Sequence, residues 1–149
     1  MSFIQIALVE EISKFLSYKS SNLTKENTAP IVIMIYCILP SVSFSIIENI
    51  QFINKYNFNQ IETLIKRSIT AVPLHIMCGS ILGYFTSLGY HNNFNSKIGK
   101  LINQSKKISL FTFSLIGLLL STLLHGLYDF NIFMKINNSD YSYKESMFI

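Results

Sequence analysis

Six ionisable side chains sit where an apolar sequence has least reason to keep them. Glu10 and Glu11 lie in "IALVEEISKF", Glu48 in "SFSIIENIQF", His75 in "VPLHIMCG", and His125 with Asp129 in "STLLHGLYDF". A carboxylate in a dry pocket can be tuned to act as a general base near neutral pH. Neutral imidazoles and carboxylates are also the usual ligands of catalytic zinc, where three protein groups leave one position for water. Hydrolysis of a peptide bond needs an activated water and an oxyanion stabiliser. This assortment of groups can supply both.

The spacing is that of helix faces. Glu10 and Lys14 are four residues apart, and Glu11 and Lys14 three, so either acid can pair with the lysine. His125 and Asp129 repeat the four-residue spacing, as do Phe44 and Glu48, with Asn49 beside them. Gly79 follows His75 by one turn and, having no side chain, lets another helix come close.

Each group has an ordinary structural explanation when taken alone. The acids near the start could cap a solvated helix end, Glu48 and Asn49 could join helices, and His75 could bond a backbone carbonyl. His125 and Asp129 could be a structural pair. Together they are harder to dismiss, because one charge at the bilayer centre costs at least ~2.5–3.5 kcal/mol on insertion scales. Such groups are tolerated when they face each other or a wet cavity. A hydrolytic site and a proton or ion pathway both meet that condition.

The elements that must position them are membrane helices. Half of the residues are hydrophobic and 13% are charged, with a mean hydropathy of +0.38. A spanning helix needs roughly 20 mostly apolar residues. Three runs meet that length: about 30–53, 68–90 and 108–134. The segment of about 2–18 is shorter and carries charge, so it enters a membrane only by burying its acids in a bundle. The reading is all-α, a multi-pass membrane bundle of about four main helices. It forms a single domain over 1–149, with a polar tail at 135–149 that frays.

Pro40 falls inside the second run and should kink it. Phe58, Ile61, Leu64 and Ile65 have helical spacing in the loop that follows, which predicts a short interfacial helix. Lys25, Lys97, Lys100, Lys106 and Lys107 weight the first and third loops, which would therefore face the cytoplasm. The net charge of +4 belongs to these loops and to lipid headgroups. No basic-aromatic pattern of a nucleic-acid module is present, so nucleic acid is not an expected partner. Cys37 and Cys78 fall within apolar runs and read as small buried hydrophobes, not as a disulfide framework. The first fifteen residues lack a basic region and a small-residue cleavage site, so no signal peptide is expected.

At these residues the chain resembles the PrsW-type intramembrane proteases, within the wider group of CAAX prenyl endopeptidases and Abi proteins. The family pattern has an EExxK element, an FxxxEN element, a helix with a histidine, and a final HxxxD. Glu10, Glu11 and Lys14 match the first, and Phe44, Glu48 and Asn49 the second. Arg67 and His75, followed by Gly79 and Gly83, resemble the third, and His125 with Asp129 matches the last.

The resemblance implies an intramembrane endopeptidase of the cell membrane that cleaves a membrane-anchored protein, such as a regulatory factor. Glu10 and Glu11 would supply the water-activating carboxylate, and Glu48, His75, His125 and Asp129 would surround the same cavity. Lys14, Asn49 and Arg67 would support them. The cofactor is either none or zinc; a metal would take its ligands among Glu11, Glu48, His75 and His125. Analogy with the CAAX-type relatives favours the metal-free form, in which His125 and Asp129 hold the oxyanion. Relatives usually carry further helices before the EE element, so the resemblance leaves three readings of this chain: a minimal core, a truncated relative, or a subunit whose partner supplies the missing helices. The competing reading is a non-catalytic membrane scaffold or immunity-type protein that keeps the fold.

Overall fold

A computed structural model of the chain has, among the described residues, four helices in the order α1 (Phe3–Ser20), α2 (Pro30–Tyr56), α3 (Gln60–His91) and α4 (Lys106–Ser146). The structure describes residues 3–21, 28–56, 60–91 and 106–146. There is no strand among the described residues. Phe58, Lys25, Lys97 and Lys100 lie outside them, and the side chains of Lys106 and Lys107 are not described.

Among the described residues, three stretches are long and apolar enough to cross a membrane: Pro30–Gln51 in α2, Leu64–His91 in α3 and Ile108–Met134 in α4. The shorter, charged α1 is not among them. Two helices run further than their apolar stretches. α3 is continuous from Gln60, so Ile61, Leu64 and Ile65 are its first turns and not a separate interfacial helix. α4 continues to Ser146, through the residues expected to fray. Neither extension contains a glycine or proline before Pro73 or after Met134 to stop it.

The packing is polar inside and apolar outside. Ile31, Ile35, Leu39, Ile46 and Ile50 on α2, and Leu115, Leu119, Leu123 and Leu127 on α4, are exposed. Ser41, Ser45, Thr86, Ser114, Ser121 and Thr122 are buried. In water this would be unfavourable, since exposed apolar area is what folding removes. In lipid the outward leucines and isoleucines are solvated, and small polar residues let helix backbones meet.

Glycines set the closest approaches. A Cβ at Gly79 would lie 2.6 Å from Ser41 Oγ and 2.9 Å from the Cys37 carbonyl oxygen. A Cβ at Gly83 would lie 2.7 Å from the Met34 Cα. One face of α3 is thus pressed onto the backbone of α2. α3 and α4 are joined reciprocally: Ser121 Oγ donates to the Cys78 carbonyl at 2.9 Å, and Cys78 Sγ donates to the Ser121 carbonyl at 3.6 Å. Cys37 and Cys78 are both buried and free. An apolar cluster of Tyr18, Ile33, Cys37 and Leu82 fills one level of the bundle. The titratable groups occupy another, about two turns along α3 from Leu82 to His75.

Candidate active site

One lysine organises the interior. Lys14, only 2% exposed, donates from Nζ to Glu11 Oε1 at 2.6 Å and to His75 Nδ1 at 2.8 Å. An ammonium cannot accept a hydrogen bond, so His75 Nδ1 presents a lone pair and the ring proton sits on Nε2. That proton is donated to Glu48 Oε2 at 2.8 Å. Arg67 holds the other oxygen of Glu48, with Nη2 2.9 Å from Oε1, and donates from Nε to Asn49 Oδ1 at 2.7 Å. The FxxxEN phenylalanine, Phe44, covers the lysine, its ring centre 5.0 Å from Lys14 Nζ.

His125 has the opposite tautomer. Its Nδ1 donates to Glu11 Oε1 at 2.9 Å, so in the neutral ring Nε2 carries the lone pair. That nitrogen stands 3.6 Å from Glu10 Oε2 and 3.7 Å from Asp129 Oδ2. Both separations are too long for hydrogen bonds. Glu10 Oε2 is buried without a hydrogen-bond partner. Three atoms that can each act as a ligand or acceptor therefore converge on one point. The two imidazoles pack edge to face, ring centres 4.9 Å apart.

Local helix geometry explains the division of labour. Neighbouring positions on α1 point about 100° apart. Glu11 turns inward with Lys14 and has a fully buried side chain, whereas Glu10 turns to a cavity and is 19% exposed. Glu48 at 29% and Asp129 at 27% open on the same cavity. It has a volume of about 260 Å³ and is also lined by Arg67, His75, His125 and Tyr128. α1 reaches this level of α4 because Gly126 offers no side chain; a Cβ there would lie 3.3 Å from the Ile4 Cα.

The structure brings together all the residues singled out from sequence: Glu10, Glu11, Lys14, Glu48, Asn49, Arg67, His75, His125 and Asp129. It separates the acidic pair, which sequence treats as one unit. Two residues went unremarked. Tyr128 lines the cavity and donates from its hydroxyl to Thr70 Oγ1 at 2.8 Å. The tyrosine lies inside the HxxxD element, which was its only signal.

The donor set suits a small divalent cation. One ligand atom each of Glu10, His75 and His125 lie within 4.8 Å of one another. Glu10 Oε2 and Asp129 Oδ2 each stand from His125 Nε2 at close to the ligand–ligand edge of ~3.3–3.6 Å set by metal bonds of about 2.0–2.2 Å. Glu11 behind His125 supplies the outer carboxylate that usually orients a ligating imidazole.

A family model described as PrsW family intramembrane metalloprotease matches residues 1–145. No curated protein and no solved structure matches the chain.

Proposed function

The chain belongs to the PrsW family of intramembrane metalloproteases, and from that premise we propose that Glu10, His125 and Asp129 form its water-activating centre. The observation that carries this reading is the meeting of His125 Nε2 with Glu10 Oε2 and Asp129 Oδ2 on one cavity. These three residues would hold a divalent cation. When bound, such an ion acidifies a water and polarises a carbonyl.

The remaining groups position and move protons. Glu11 fixes the His125 ring through Nδ1, and Lys14 fixes Glu11. Glu48, held through both oxygens by Arg67 and His75, faces the same cavity and helps to place the attacking water. A carboxylate of the cavity accepts the proton of that water and then passes it to the leaving amine nitrogen. The site lies among helices whose outer faces are apolar. That placement supports a substrate anchored in the membrane, such as a regulatory factor released by the cut.

The test compares the N-termini of membrane proteins in cells carrying the wild type or Glu10→Gln at matched abundance. Glu10 is the group to change, because Glu11 is part of the buried scaffold. New N-termini within or beside a transmembrane segment, present only with the wild type, identify a peptidase and its substrate. Identical N-termini in both would sink the reading in favour of a scaffold that keeps the fold.

A further inference from the structure

We propose that Tyr128 is a catalytic residue of this site, donating its phenolic hydrogen bond to the oxyanion that forms during peptide cleavage. The inference rests on the peptidase reading above. It begins from a shortage of donors. The cavity presents three carboxylates, Glu10, Glu48 and Asp129, and the Nε2 of His125 that faces two of them. Its cationic and N–H groups are engaged elsewhere. Arg67 is held by Glu48 and Asn49, and His75 gives its Nε2 proton to Glu48. Lys14 stands behind Glu11 and His75 and does not line the cavity.

The Tyr128 hydroxyl is different, because its partner is a neutral hydroxyl. It donates to Thr70 Oγ1 at 2.8 Å, and Thr70 in turn donates its own proton to the Lys66 carbonyl at 2.9 Å. Thr70 thus serves purely as an acceptor and holds the phenol in its resting position. A hydrogen bond to an ionised oxygen is roughly twice as strong as one between neutral groups. An oxyanion in the cavity therefore outcompetes Thr70 for the same proton. Tyr128 lies three residues from His125 and next to Asp129 on α4, so it lines the cavity beside the water-activating centre.

The step balances without transfer from the phenol. Water oxygen bonds to the scissile carbonyl carbon, its proton goes to a carboxylate of the cavity, and the carbonyl π pair moves onto oxygen. Tyr128 donates a hydrogen bond to that oxygen and keeps its proton. The C–N bond then breaks, the oxygen pair re-forms the carbonyl, and the proton held by that carboxylate passes to the amine.

The test uses the full-length protein in detergent and a quenched fluorescent peptide spanning the junction found by N-terminal sequencing. Tyr128→Phe removes only the hydroxyl. The expected result is a fall in kcat of about 10²–10³-fold with KM unchanged. Thr70→Val, which cannot accept the bond, should retain kcat. A Tyr128→Phe protein with wild-type kcat, beside an inactive Glu10→Gln, would overturn the proposal and leave the peptidase reading standing. A change confined to KM would overturn it too. Cleavage unaffected by both substitutions would remove the peptidase reading and this proposal with it. If Tyr128→Phe lowers the melting temperature, trifluorotyrosine at position 128 keeps the ring and acidifies the phenol. A kcat whose pH profile is unmoved by that replacement would then count against the proposal.

Discussion

Glu11 and Lys14 show how one acid of a motif can be packed into the scaffold while its neighbour faces the cavity. Both are almost wholly buried and are bonded to each other at 2.6 Å. Removing one member of such a pair leaves an uncompensated charge, at a cost of about 3–5 kcal/mol, whereas replacing both is far milder. Lys14→Met should therefore lower the melting temperature strongly, and Glu11→Gln in the same chain should recover much of the loss. Differential scanning fluorimetry in detergent reads both. Glu10→Gln should behave oppositely, with near wild-type melting and no cleavage. At His125, glutamine can replace one imidazole hydrogen bond, so a scaffold would tolerate it. Here the ring bonds Glu11 through Nδ1 and faces Glu10 and Asp129 through Nε2. His125→Gln is expected to abolish cleavage in the membrane N-terminus comparison.

The helices meet the demands of the site through glycine. α2 carries Glu48 and Asn49, α3 carries Arg67 and His75, and the bonds between them need the two backbones close. Gly79 and Gly83 provide that closeness, and at Gly83 the atom in the way is the Met34 Cα, which cannot swing aside. Overpacking of this kind costs typically ~1–3 kcal/mol. Gly83→Ala should lower the melting temperature and weaken the His75–Glu48 contact two turns away, so cleavage should fall even where the protein stays folded. Activity per folded molecule, measured below the melting temperature, checks this. An undiminished value would show that the α2–α3 spacing is not what aligns the two residues.

Across the whole molecule, a polar interior wrapped in exposed isoleucine and leucine is stable only in lipid or detergent, and the charges gather at one cavity inside it. Metal content tests the centre directly. The purified protein is expected to hold about one divalent ion per chain and to lose it with Glu10→Gln or His125→Gln. A strong chelator should stop cleavage, and zinc should restore it. Elemental analysis beside the cleavage assay distinguishes this from the metal-free form, in which chelation would leave cleavage intact.

The one-dimensional pattern was enough for the membrane-helix class and for the chemical groups. Long apolar runs fix helices in lipid, and each EExxK, FxxxEN and HxxxD spacing is a local helix repeat. What lay beyond it depends on contacts between residues far apart in the chain. The opposite tautomers of His75 and His125 follow from Lys14 and Glu11, 61 and 114 residues away. The split between Glu10 and Glu11 follows from which face of α1 meets α3 and α4. Tyr128 is unremarkable until Thr70 and the cavity stand beside it. The helix extensions were missed for a related reason: hydropathy marks where lipid ends, whereas a helix ends only where its hydrogen-bond ladder is interrupted. Composition and spacing decide which groups are present and on which local face. Only the packing of four helices decides which lone pairs face one another, and that arrangement is what makes the groups a site.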